Sequence, residues 1–281
     1  MNILSLFDWV SCGRVALERA WIKVDKYFAS EIDKYAIQVA KKNYPNTIHI
    51  GSVTSIHYND HLLYSIDDTH NAIHDEDIDM IIWWSPCQSF SIAGKQEWFD
   101  WKSWLFYEYL RILKEVKPKY FLLENVKMKK EWQDIISKEL WCEPININSS
   151  LVSPALRNRF YWTNIPGIQQ PKDKWIELQS ILSSGFTDRK KARALLESDS
   201  RPLKDKKRMW HRYKDTWFTT IVYENGIWDI NNIRYMNQEE LEKCQTLPVW
   251  YTSVLDRNKA ASCIGNWWTV DVIAHIFSYI K

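Results

Sequence analysis

Short apolar runs alternate with amphipathic segments through the first 165 residues or so. Ile3 to Phe7 is a brief apolar run, the pattern of a buried strand, and "VSCGRVALERAW" after it reads as a turn leading into a helix. "VDKYFASEID" predicts a second strand that ends in acidic residues, and "DKYAIQVAKKNYP" a helix stopped near Pro45. "TIHIGSV", Thr47 to Val53, predicts a third short strand, "IDMIIWW" a fourth and "KYFLLENV" a fifth. "LFYEYLRILKEVKP" between the last two is an amphipathic helix, with Leu105, Tyr109, Ile112 and Leu113 on one side. Strands alternating with helices predict βαβ units and a mostly parallel sheet. After Pro166 the pattern weakens; helical patterning returns from Arg234 and closes with the apolar helix "WTVDVIAHIFSYI".

Ligands of parallel sheets bind at the carboxyl ends of the strands. Asp8, Glu31, Ser52, Cys87 and Glu124 all fall at such predicted ends. A lone cysteine is usually a small buried hydrophobe. Cys87, however, follows a strand in a Pro86-Cys87 turn beside Ser85, Gln88 and Ser89, polar company that suits a nucleophilic thiolate better. Glu124 follows four apolar residues, where a carboxylate is costly unless it caps, pairs or acts as an acid. Arg157 and Arg159 are two apart, so a strand would turn them to one side; otherwise they are surface charge.

Composition narrows the classes. A net charge of +2 says little about partners. The cysteines, Cys12, Cys87, Cys142, Cys244 and Cys263, contain no C-x-x-C pair, so no zinc ribbon, redox pair or other metal site is expected. Their odd number and the lack of a signal peptide predict a reducing, cytoplasmic setting, and no apolar run is long enough to span a bilayer. Arg189 to Lys214 carries eleven Lys/Arg against three Asp/Glu. That stretch is either a solvated loop or a face for a phosphate backbone.

These residues resemble the DNA cytosine-C5 methyltransferase family, over Ile3 to Ile280. "LSLFDWVSCGRVALERAW" is similar to the family's first motif, "SPCQSFS" to the catalytic Pro-Cys-Gln motif, and "ENV" to the Glu-Asn-Val motif. "ALRNRFYW" resembles the Gln-x-Arg-x-Arg motif, with Ala155 in place of Gln. "IRYMNQEELEKCQTLPVWYT" and "IGNWWTVDVIAHI" resemble the ninth and tenth motifs. The short "LFD" opening and small middle region look closest to compact de novo and phage-type members.

The resemblance implies a Rossmann-like α/β sheet dependent on S-adenosylmethionine, formed by residues 1–165 and 233–281, with a small target-recognition region at 166–232. It implies methyl transfer to C5 of a cytosine flipped out of duplex DNA, with Cys87 adding to C6. Glu124 would bind the N3 side of the base, which asks for a carboxyl with a raised pKa, and Arg157 and Arg159 would hold the base and phosphate. Ser85, Pro86, Gln88 and Ser89 would line the substrate side. Phe7, Asp8, Trp9, Ser11, Cys12, Gly13, Glu31, Ile32, Ser52, Val53, Asn266 and Trp268 would hold the cofactor. At Ser52 the family usually has Asp, so weaker cofactor binding is expected. The implied partners are DNA and, as a candidate, a cognate restriction endonuclease. An RNA methyltransferase of the tRNA-modifying type is the alternative, but its Cys-Phe-Thr signature is absent. A non-catalytic DNA-binding homologue is the other, against which the intact Cys87, Glu124 and Arg159 argue.

One compositional feature stands apart. A chain of this length is expected to hold about 20 glycines; this one has 7 Gly and 17 Trp. By resemblance, Trp9, Trp84, Trp98, Trp101, Trp104, Trp250 and Trp267 fall at family glycines, as do Trp21, Trp83 and Trp141, whereas Trp162 and Trp268 match family tryptophans. UGA is read as Trp in some genetic codes and as Gly in others. A gene using UGA for glycine, translated with a UGA-tryptophan table, accounts for the pattern; a genuine aromatic binding surface is the competing explanation.

Overall fold

The computed structural model describes residues 1–66, 73–84, 104–195, 205–215, 219–224, 229–265 and 267–281. They form two compact units, 1–147 with 158–169 and 274–281, and 148–157 with 170–273.

The first unit is built on a seven-stranded sheet: β1 (Asn2–Leu6), β2 (Lys26–Ser30), β3 (Ile48–His49), β7 (Met80–Trp84), β8 (Tyr120–Val126), β9 (Ile145–Asn148) and β10 (Asn158–Thr163). Its order is β3-β2-β1-β7-β8-β10-β9. The pairs from β3 to β8 are parallel, and β10 runs antiparallel to β8. β7 and β8 are buried at every position, which explains their unbroken apolar runs: a strand covered on both faces has no polar side to alternate with. Helices α1 (Cys12–Arg19), α2 (Lys34–Asn43), α3 (Trp104–Val116) and α4 (Lys130–Leu140) are the crossovers. α2 starts where the Asp33 carboxylate accepts from Tyr35 N and Ala36 N, satisfying two backbone donors that the helix leaves free.

One expectation changes. The third strand, expected over Thr47 to Val53, is only Ile48–His49; Val53–Ser55 is a 3-10 turn, because the Ser52 hydroxyl accepts from Thr54 N at 3.4 Å. A small antiparallel sheet, β4 (Ile56–Asn59), β5 (Leu62–Ser65) and β6 (Ile73–Asp75), follows. Its first hairpin turns on Asp60 and His61, both left-handed, as a two-residue turn between twisted strands requires. Arg111 of α3 ties this sheet down through Ile56 O at 2.8 Å.

The second unit holds α5 (Lys206–Lys214), β11 (Ile221–Tyr223), β12 (Ile233–Tyr235), α6 (Gln238–Cys244), α7 (Arg257–Gly265) and the first residues of α8 (Val270–Phe277). Residues 233–273, grouped by resemblance with the catalytic domain, pack within this unit. α5 lays Met209 and Tyr213 against Ile221, Tyr223 and Ile233. A capping box starts α6: Asn237 Oδ1 accepts from Glu240 N, and the Glu240 carboxylate accepts from Asn237 N.

Candidate active site

The loop from β1 to α1 is a tightly constrained turn of the first unit. Phe7, Trp9 and Ser11 all take left-handed φ angles, 55°, 52° and 62°. Asp8 locks it. Its Oδ2 accepts from Ser11 Oγ at 2.6 Å, its Oδ1 from Tyr27 OH at 2.6 Å, and its backbone N donates to Ser30 O at 3.0 Å. Burial pushes the Asp8 carboxyl up, against the hydrogen bonds from Ser11, Ser5 and Tyr27 that pull it down. Asp8 thus braces the turn from inside. Tyr27 is a partner that the sequence reading missed, since a tyrosine in an apolar strand carries no local signal of the carboxylate it will meet. Cys12 and Gly13 are buried at the start of α1.

Glu31 stands at the end of β2 and clasps the same turn. Its Oε2 accepts from Trp9 N at 2.8 Å, and its Oε1 from Ile32 N at 2.8 Å and Asp33 N at 2.7 Å. Burial raises this carboxyl too, opposed by those backbone N–H groups. Ile32 is exposed and Val53 buried. Phe7, Glu31 and Ser52 therefore follow three adjacent parallel strands, β1, β2 and β3, at one edge of one sheet. S-adenosylmethionine fits this set. Oε2 of Glu31 accepts from Trp9 N and retains acceptor capacity for a ribose hydroxyl, and the Ser52 hydroxyl has an accessible oxygen.

Glu124 lies within β8, two residues before its end, opposite Trp84 on one side and Tyr161 on the other. It is 1% exposed, and its Oε1 lies 2.9 Å from Nε of Arg159, whose side chain is 14% exposed. Arg159 sits opposite Val126, so the contact is a diagonal one across the antiparallel pair. Surface charge is ruled out for both arginines. Arg157 is also buried, but β10 begins one residue after it. It belongs to the second unit, where its Nη1 donates to Gly265 O at 3.4 Å. Trp268 is buried in that unit as well. Cys87, with Ser85, Pro86, Gln88 and Ser89, and Asn266 lie outside the described residues.

The basic stretch divides. Arg189 donates to Thr219 O at 2.9 Å and Tyr213 O at 3.2 Å, and Lys191 Nζ to Ser150 O at 2.6 Å, Ser153 O at 2.9 Å and Ile176 O at 2.6 Å. These two are internal ties of the second unit. Lys190, Lys206, Lys207, Arg208 and Lys214 are exposed.

The first unit thus joins a mostly parallel sheet, with polar turns after β1, β2 and β3, to a Glu–Arg pair on β8 and β10. Residues 1–137 match the model of the family C-5 cytosine-specific DNA methylase. It is similar to the type II methyltransferase M1.ScrFI of Lactococcus lactis subsp. cremoris, 44% identical over 127 residues, 45% of this chain and 28% of that protein. It is also similar to the orphan methyltransferase M.Rho11sI of Bacillus phage rho11s, 34% identical over 130 residues, 45% of this chain and 23% of that protein. The aligned part thus spans about a quarter of these relatives' length. In fold, the chain is similar to the Entamoeba histolytica methyltransferase EhMeth, with a TM-score of 0.74 at 18% identity, covering 99% of this chain and 97% of that one. Spodoptera frugiperda DNMT2 gives a TM-score of 0.62 at 17% identity, covering 99% and 98%. Among the described residues no helix is long and apolar enough to cross a membrane, and no cluster of His, Cys, Asp and Glu could hold a metal ion.

Proposed function

We propose that the chain transfers a methyl group to C5 of cytosine in DNA. The observation that carries this is the Glu124–Arg159 pair, 2.9 Å apart, on neighbouring strands β8 and β10, with β8 paired to β7 on its other side. S-adenosylmethionine, held at the carboxyl edge of β1, β2 and β3, supplies the methyl group. The Cys87 thiolate adds to C6, which makes C5 electron-rich enough to take the methyl. Glu124 holds a proton at N3 of the flipped base, and Arg159 orients the Glu124 carboxyl. Loss of the C5 proton then re-forms the double bond as the sulfur–C6 bond breaks. Arg157, Ser85, Pro86, Gln88, Ser89, Asn266 and Trp268 take the roles the resemblance gives them. The target-recognition region at 166–232 includes the exposed basic face of α5, which suits a phosphate backbone, and a cognate restriction endonuclease is the candidate protein partner.

Duplex DNA and tRNA, offered to one preparation with labelled S-adenosylmethionine, test the substrate; labelling of tRNA alone would overturn the DNA reading. Cys87→Ser should abolish both transfer and covalent trapping on 5-fluorocytosine DNA. Glu124→Gln should slow transfer by about 10²–10⁴-fold while leaving cofactor binding intact.

A further inference from the structure

Left-handed backbone is the natural place of glycine, because any Cβ crowds the following carbonyl there. Among the described residues, eleven that are not glycine take positive φ, and five of them are tryptophan: Trp9 at 52°, Trp21 at 58°, Trp141 at 56°, Trp175 at 54° and Trp250 at 65°. With 17 tryptophans in 281 residues, chance would put fewer than one there. Bulky side chains are the least suited to this region.

The hydrogen bonds at three of these positions, Trp21, Trp141 and Trp250, are those of glycine motifs. Trp21 ends α1: its N–H goes to Glu18 O at 3.0 Å, and Ile22 N reaches back to Leu17 O at 3.0 Å. That double closure, with the left-handed residue between, is the Schellman motif, whose special position glycine usually fills. Trp141 ends α4 on left-handed backbone too, where its own N–H and Cys142 N, at 3.2 Å, both donate to Ser137 O, the closure of the αL cap that glycine also favours. Trp250 is the third residue of the turn Pro248–Tyr251, closed by Tyr251 N to Pro248 O at 3.3 Å, where a type II turn demands glycine. Four of the indoles have no packing to justify them: Trp21 is 95% exposed, Trp141 93%, Trp175 80% and Trp250 66%.

We infer that these five positions are glycine positions of the fold, and that the tryptophans there arise from a glycine codon, UGA, read as tryptophan. Backbone geometry reaches this without the family motifs, and it adds Trp175, which the motifs do not single out. It also draws a boundary. Trp83 and Trp84 lie in strand β7 and are not left-handed, so glycine is required there by resemblance alone. The competing idea of an aromatic binding surface gives no reason for indoles to choose helix ends and turn corners.

The source gene provides the first test. UGA is expected at codons 9, 21, 141, 175 and 250, and UGG at codon 162, whose side chain the core uses; UGG at the five would overturn the inference. Thermal unfolding provides the second, and it does not depend on activity. The full chain with glycine at the five positions should melt higher than the chain as written, by about 2–4 °C per position. An otherwise identical chain with alanine there should not, since alanine keeps the Cβ. Equal melting of the written and glycine chains, or of the alanine and glycine chains, would overturn it.

Discussion

Trp162 and Trp21 carry the same side chain in opposite circumstances. Trp162 is fully buried in β10 and its Nε1 donates to Ser137 Oγ at 3.0 Å, so it contributes apolar area and satisfies its one polar atom. Trp21 is almost wholly exposed, on backbone that disfavours any side chain. The first indole is explained by what surrounds it, and the second by nothing around it. Residue identity and structural requirement agree in the core and part company at the helix ends. A tryptophan count by itself therefore says nothing about which tryptophans the fold uses.

The comparison can be broken most severely at Trp162. Trp162→Ala should cost about 3–5 kcal/mol in urea unfolding, through the cavity and the stranded Ser137 hydroxyl. A loss under about 1 kcal/mol would mean that the core does not depend on this indole. Next come the helix ends. Trp21→Gly and Trp141→Gly should each stabilise the protein by about 1 kcal/mol, while Trp21→Ala and Trp141→Ala should leave stability nearly unchanged. Stabilisation by alanine equal to that by glycine would place the fault in the exposed indole and not in the backbone.

The smallest effect sharpens the comparison at Trp9, whose turn Asp8 braces. Burial raises the Asp8 carboxyl above its ordinary 3.8, so the folded state keeps a proton that the unfolded chain has already released. The Asp8 contribution to stability is therefore greatest below about 3.8 and is lost as pH rises through the folded value. Asp8→Asn should flatten the stability–pH curve in that window. An unchanged slope would show that the buried Asp8 carboxyl does not set it.

Periodicity made β1, β2, β7, β8 and the helices between them legible, because strands buried on both faces must be apolar throughout. It could not show the small β4–β6 sheet, whose strands are short, half-exposed and rich in His, Tyr and Asp. Glu124 and Arg159 were readable as unusual residues, one acid after four apolar positions and one of two arginines a residue apart. That they meet was not, since antiparallel β8–β10 pairing joins positions 35 residues apart and no local pattern encodes it. The same holds for Asp8 and Tyr27, brought together by two neighbouring strands.

The amino-acid order by itself determined the parallel sheet, the motif residues and the excess of tryptophan over glycine, because each is written in neighbouring residues or in composition. Only the tertiary structure decided which carboxylates are buried and what they bond to, because burial and pairing depend on strands far apart in the chain. It alone also separated the tryptophans the core uses from those standing on left-handed backbone, because φ is set by how helices end and turns close, and no side chain announces it.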